Sequence, residues 1–247
     1  MKTSRDGLGD RMKNNYENRS RHYLTRRTPV IIRVDGKAFH TFTPKGCEKP
    51  FDYRLIYSMR YATLQLAQRM QGCVAAYVAS DEASFLLTDW AQLDTQAWFD
   101  YNKSKMESIS ASYMSVFFNQ NYFGSKEPSD SLTDKYGVFD SRSFNLPKAE
   151  VANYFLWRMK DWERNSVTML ASEFFSHKEL HGKSTLDRLQ MMEAKGVRWS
   201  DTNPIARNGS FFVRNEGNFT ERTFDENVTY EKVAMNLRFL DTNPDAV

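Results

Sequence analysis

Only two of the 247 residues are cysteine and four are histidine, and both shortages exclude chemistry. Cys47 and Cys73 form no CxxC pair and have no neighbours at zinc-ligand spacing, which argues against a disulfide framework or a zinc ribbon and fits a reducing compartment. So few imidazoles and thiols also give little support to a transition-metal site or a Cys–His nucleophile. Long apolar runs are missing, including from the opening MKTSRDGLGD, so neither a membrane span nor a signal-peptide core is expected and the chain reads as cytoplasmic. Glycine (11) and proline (7) are too sparse for a collagen-like or low-complexity chain. Charge is nearly balanced, 34 basic against 31 acidic side chains, and the net +3 identifies no partner by itself. Its placement says more: residues 1–30 carry eight basic and three acidic groups, a patch suited to phosphate contacts or to a solvated helix.

Three familiar phosphate and metal motifs are also incomplete. HGKS (His181 to Ser184) resembles the end of a phosphate-binding loop, but His177 stands where the first glycine belongs. DGLGD puts Met12 where a dinucleotide fingerprint needs glycine. In HKELH, Glu179 occupies neither glutamate position of a zinc protease, so His177 and His181 read as hydrogen-bonding or phosphate-contacting groups on one surface.

What is present is a strand and helix grammar. A polar, basic helix is expected over 8–25, then the β-branched run TPVIIRV as a buried strand ending at Asp35-Gly36. Leu55, Met59, Ala62, Leu66 and Met70 keep one helical face apolar until Gly72. VAAYVA and ASFLLT are strands joined by the polar turn Ser80-Asp81-Glu82; 96–119 is again helical, 120–136 a loop, GVFDSRSFNL a fourth strand, and Pro147 opens a helix to about Phe175. This order, βαββαβ, is the ferredoxin-like pattern, an α+β core over about 28–175 with an antiparallel sheet and its helices on one face. A C-terminal α/β extension, about 176–247, holds a helical stretch near 184–195 and a hairpin beginning at FFVRN.

In that topology the first two strands run parallel, so Asp35 and Asp81-Glu82, 46 positions apart, meet at one sheet edge. Two unit charges at 4 Å repel by roughly 4 kcal/mol at an effective dielectric of about 20, so such a cluster needs protonation, a basic partner or a metal. Magnesium suits a few carboxylates plus substrate phosphates. Equally, Asp-Gly is a common hairpin signal and Ser-Asp-Glu a polar turn.

The segments RRTPVIIRVDGKAFHTF, KPFD, SDEASFLLTD, FDSRSFNLP, NYFLWRMKDWERNS and FSHKELHGKS, in this order, resemble the tRNA(His) guanylyltransferase superfamily, closest to the guanylyltransferase-like branch of bacteria, archaea and some viruses. Members of that superfamily extend RNA in the 3′-to-5′ direction, and the resemblance implies a core similar to the palm of ordinary polymerases, two magnesium ions, and ATP and GTP or other NTPs as substrates. It implies that Asp35 and Asp81 hold the metals, with the Gly36 carbonyl and Glu82, and that Asp35, Gly36, Lys37, Ala38, Phe39 and His40 wrap the triphosphate with their N–H groups, helped by Ser80, Asp81 and Lys49. Arg33 would be a neighbouring charge. The partners implied are tRNA and nucleoside triphosphates, without a membrane, in a homotetramer. RNA would be held by Arg26, Arg27, Arg158, Arg164, Asn165, Lys178, Lys183 and Arg207, while Trp157 and Trp162 could stack on bases or belong to the core. Glu163 replaces the histidine of the eukaryotic enzymes, which favours the 5′-end repair branch over tRNA(His) guanylylation; the basic pair near the end of the shared region is reduced to Arg207-Asn208-Gly209.

The reaction implied is NTP activation of the RNA 5′-phosphate, then attack by the 3′-hydroxyl of the incoming NTP, copying the opposite strand. Two rivals stay open: a nucleotide or dinucleotide cyclase on the same palm, although Ala79 to Ala83 lacks the GG[DE]EF turn, and a non-catalytic RNA-binding chaperone.

Overall fold

The structure, a computed structural model, describes residues 7–39, 47–92, 94–124, 136–224 and 228–241. Strands β1 (Val30–Gly36), β2 (Cys73–Ala79), β3 (Glu82–Leu87), β4 (Phe139–Asn145), β5 (Ser210–Asn215) and β6 (Asn218–Arg222) form one antiparallel sheet in the order β4-β1-β3-β2-β5-β6. Because β3 lies antiparallel between β1 and β2, those two run parallel, and the carboxyl end of β1 reaches the same edge as the β2–β3 turn.

Alternation along VIIRVDG decides what each face of the sheet meets. Val30, Ile32 and Val34 are fully buried under helices α1 (Tyr53–Arg69) and α2 (Lys103–Phe123), with Phe85, Leu66, Met106 and Phe118. Asp52 starts α1 by accepting from the Leu55 N–H at 2.9 Å, and Asn102 starts α2 through the Lys105 N–H at 3.2 Å. Thus the two helices of the βαββαβ unit share one face, as that pattern requires. Ile31, on the other face, meets Leu86, Phe211 and the helix α3 (Val151–Ser172) through Val151, Tyr154, Phe155 and Met159. Helices therefore cover both faces, and the second cover comes from outside the βαββαβ unit.

The strands after residue 209 join the same sheet. The β5–β6 hairpin closes through Glu216 (φ 47°) and Gly217 (φ 87°), both left-handed as a tight primed turn requires. Arg60 on α1 forks Glu221 on β6 through bonds of 2.5 and 2.8 Å, tying this edge to the core. Short helices α4 (His177–Leu180), α5 (Thr185–Glu193) and α6 (Pro204–Asn208) follow α3, and Leu180 and Met192 pack on its Val167 and Ala171.

Several boundaries differ from expectation. The N-terminal helix stops at Asn15, followed by a short 3-10 turn, Glu17–Ser20, because neither buries a residue that could extend it. The second core helix is shifted to 103–123 by a preceding turn, Trp98–Tyr101, in which Phe99, Asp100 and Tyr101 have positive φ. Residues 120–123, read as loop, continue that helix through buried Tyr122; the rest of the loop, 125–135, lies outside the described residues. Cys47 and Cys73 are free, and no described helix is long and apolar enough to cross a membrane.

Candidate active site

The antiparallel register builds the site row by row. Asp35 lies opposite Glu82 on one side and Asp140 on the other, giving an acidic row at the rim. Two residues back along β1, Arg33 lies between Ser84 and Arg142, a basic row about 7 Å behind it. The rows interlock: Arg142 Nη2 is 3.9 Å from Asp35 Oδ2 and 3.1 Å from Asp140 Oδ1, and Arg33 Nε is 3.9 Å from Glu82 Oε2.

The turn between β2 and β3 sets the opposite wall. Ser80 takes a left-handed φ of 54°, an unusual conformation for a residue with a side chain, and its Oγ donates to Asp81 Oδ1 at 2.9 Å. The Gly36 N–H donates to the Asp81 carbonyl at 3.0 Å, fastening the end of β1 to that turn. A Cβ at Gly36 would collide with the Phe39 ring and lie 2.9 Å from the Asp81 Cβ, so the approach requires glycine.

Helix α3 supplies the third wall. Its face is apolar over the sheet and turns polar at Arg158, Asp161 and Asn165, spaced i, i+3 and i+7. Arg158 forks Glu82 with Nε–Oε1 and Nη2–Oε2 both at 2.7 Å, and its Nη2 is 3.3 Å from Asp161. Together Asp35, Ser80, Asp81, Glu82, Arg158, Asp161 and Asn165 line a pocket of about 100 Å³, with Tyr77, Ala79 and Trp162. Burial pushes the Glu82 carboxyl above the ordinary carboxylate range, against the pull of Arg158 and Arg33. Burial also opposes the charge of Arg158, but Glu82 outweighs it and the guanidinium holds its proton more tightly than usual.

The expected convergence of Asp35, Asp81 and Glu82 is therefore present in the fold, while several individual assignments change. Glu82 has the basic partner that the charge argument allowed: both oxygens are engaged by Arg158. No group of three or more His, Cys, Asp or Glu among the described residues could hold a metal. Asp35 and Asp81 bring hard carboxylate oxygens to the pocket wall, and that donor set fits magnesium, which takes one or two carboxylates and fills its shell with water and phosphate oxygens.

The phosphate-facing strip also changes. The Gly36 and Lys37 N–H groups are taken by the Asp81 and Val138 carbonyls, the latter at 2.7 Å. Phe39 is buried against Phe118 and Phe139, with ring centroids 5.4 and 5.1 Å away. Lys37 and Ala38 are exposed at the rim, Lys49 lies on the exposed stretch before α1, and none of the three lines the pocket; His40 lies outside the described residues.

Of the RNA-contact candidates, Arg158 is committed to Glu82 and Arg207 is buried, its guanidinium 5.2 Å from the Trp199 ring and donating to the Ser200 carbonyl at 2.6 Å. Arg26 clamps the fully buried Asp89 carboxylate at 2.5 Å and reaches Asp100 and the Thr95 carbonyl. Arg27 gives its N–H to the same Asp89 at 2.8 Å. Arg164, Lys178 and Lys183 are exposed, Arg164 beside Asp161 at 2.5 Å, while Asn165 belongs to the pocket. Trp162 is core and donates to the Ala206 carbonyl, whereas Trp157 is half exposed under the Arg158 guanidinium.

Asp161, Asp140 and Arg142 escaped the sequence reading. The polar stripe 158, 161, 165 on an otherwise apolar helix face was the available signal for Asp161. Nothing short of the strand register brings in the other two.

Comparison with known proteins bears on the same region. A family described as tRNAHis guanylyltransferase matches residues 9–147, which contain Asp35, Asp81 and Glu82. The tRNA(His) guanylyltransferase of Debaryomyces hansenii is 27% identical over 206 residues, 78% of this chain and 76% of the relative. A bacterial tRNA(His) guanylyltransferase-like protein solved in complex with ATP superposes with a TM-score of 0.81 at 36% identity, covering 95% of this chain and 97% of that one. The same kind of bacterial protein in complex with GTP gives 0.76 at 34% identity, with coverage of 95% and 98%. Saccharomyces cerevisiae tRNA(His) guanylyltransferase, at 20% identity and a TM-score of 0.71 over 89% of this chain and 99% of that one, shares the fold.

Proposed function

The chain belongs to the tRNAHis guanylyltransferase family, and from that membership and the geometry of its acidic rim we propose that it adds nucleotides to the 5′ end of tRNA in the 3′-to-5′ direction, restoring truncated ends by copying the opposite strand. The observation that carries this reading is the meeting of Asp35 and Asp81 at one pocket wall, held there by the Gly36 N–H bond to the Asp81 carbonyl.

The chemistry divides into two displacements at phosphorus. In the first, an oxygen of the RNA 5′-phosphate attacks the α-phosphorus of ATP and pyrophosphate leaves. In the second, the 3′-hydroxyl oxygen of the incoming NTP attacks the activated 5′-phosphorus and AMP leaves. Both gain mainly from positioning and charge neutralisation, so no protein nucleophile is required.

Asp35 and Asp81 would hold magnesium, two ions in the full reading. When bound, magnesium supplies Lewis-acid polarisation of phosphoryl oxygens and orientation of the attacking hydroxyl. The chain's own groups do the rest. Ser80 orients the Asp81 carboxylate, Gly36 lets the turn approach, and Arg158 holds Glu82 fixed beside Asp35 so that its charge does not swing into the phosphate path. Asn165 presents an amide at the pocket mouth, suited to a phosphate or ribose oxygen. ATP and GTP, the ligands of the two bacterial relatives, are the proposed substrates, and a cytoplasmic homotetramer, with 28–175 as palm core and 176–247 as extension, completes the reading.

Labelled NTP should enter a 5′-monophosphorylated tRNA lacking its first nucleotide, resolved from free nucleotide by thin-layer chromatography. Formation of a cyclic nucleotide product instead would favour the cyclase, and binding without incorporation would leave the chaperone.

A further inference from the structure

The segment His177 to Ser184 takes no part in this chemistry, yet it builds a second pocket, of about 430 Å³, at the far end of α3. Its donors are Arg188, His177 and His181, above the apolar side of Phe175, while the Thr168 and Ser172 hydroxyls on its wall donate to the Arg164 and Thr168 carbonyls at 2.8 Å. No carboxylate lines it. The acid of the segment and the one that follows it are turned into their own capping boxes: Glu179 accepts from the Ser176 N–H and hydroxyl at 2.8 and 2.7 Å, and Asp187 from the Ser184 N–H and hydroxyl, both at 2.8 Å.

Arg188 Nη1 donates to the Thr168 hydroxyl at 2.5 Å, while its Nε is buried with no acceptor among the described residues. The rings of His177 and His181 lie 6.2 Å apart, close enough for both to reach oxygens of one tetrahedral oxyanion. A guanidinium and two imidazoles form a donor set for phosphate; a cation finds no charged ligand there, and an apolar guest would leave the Arg188 Nε unpaired.

We propose that this pocket holds a backbone phosphate of the RNA substrate; this rests on the reading of the chain as an enzyme acting on RNA. Its position selects RNA over a free nucleotide. Ser172 follows Asn165 of the catalytic pocket by seven residues on the same helix, about 10 Å along the axis. The second pocket thus lies further along the same helix as the first, and the exposed Lys178 and Lys183 are neighbours of its lining residues His177 and Gly182.

The test uses the full chain, a His177→Gln/His181→Gln double variant and Arg188→Gln. Affinities are read for the truncated 5′-monophosphorylated tRNA by filter binding at several salt concentrations and for ATP by calorimetry. Both variants should bind the tRNA about tenfold more weakly, and Arg188→Gln should also lower its log–log salt slope by about one, with ATP affinity unchanged. Unchanged tRNA affinity and slope would overturn the proposal, and so would a loss confined to ATP, which would assign the pocket to a nucleotide's phosphates. Both histidines are exposed, so the double variant decides the matter should Arg188→Gln fail to fold. If the wild-type chain incorporates no nucleotide, the functional reading fails; if it does and the variants bind as tightly as before, only this site fails.

Discussion

Arg158 has the Glu82 carboxylate in front of it and a packed sheet behind, and both side chains are about six-sevenths buried, with relative exposures of 14% and 16%. Removing one partner strands the other charge, so Arg158→Met should cost about 3–5 kcal/mol in urea unfolding, and Glu82→Leu added to it should return most of that. Asp35→Asn and Asp81→Asn behave differently, because each loses charge from an open pocket wall. Incorporation should fall by roughly 10²–10³-fold while unfolding free energy stays within about 0.5 kcal/mol; full activity in either variant would remove that residue from the site. The two aspartates were legible because a βαββαβ order places strand ends without reference to side chains. The partner of Glu82 was not, since Arg158 is 76 residues away and reaches it only once α3 crosses the sheet.

Elements were readable where a period or a cap stated them. The alternation in VIIRVDG, the apolar stripe of α1 and the turn at Ser80-Asp81 all reappear, and the hairpin at FFVRN closes as expected. The face covered by α3 was not readable, because a helix with buried Tyr154, Phe155 and Trp162 fits any apolar partner, and only the strand register supplies one. The hairpin's attachment to α1 was equally hidden and makes a pH prediction. The Arg60 hydrogen bonds hold the Glu221 carboxyl below its ordinary range against the cost of burial. The folded value lies below the unfolded one, near 4.3, so the ion pair contributes fully above about pH 4.3 and its contribution is lost as pH falls through the folded value. Glu221→Gln should therefore flatten the acid limb of the stability profile, and an unchanged limb would show that the pair is idle.

At the scale of the molecule, the two pockets differ in their acids. Carboxylates gather at one end of the sheet and α3, and the histidine and arginine pocket lies further along the same helix, an arrangement suited to a polyanion whose reacting end must meet cations. The exposed Tyr57, Tyr113 and Val116 lie on the outer surfaces of α1 and α2, apolar area of the kind that assembly covers. The proposed tetramer is tested by sedimentation equilibrium, where it predicts four copies of the 28.9 kDa chain; a monomer would refute the tetramer without touching the chemistry. The most direct test of the account is where a labelled nucleotide lands when the chain, magnesium, ATP and NTPs meet a 5′-monophosphorylated tRNA shortened by one residue. Nuclease mapping should find the label at the 5′ end, about a hundredth of it or less with Asp81→Asn, and none with magnesium chelated. Label at the 3′ end, or equal incorporation by Asp81→Asn, would contradict it.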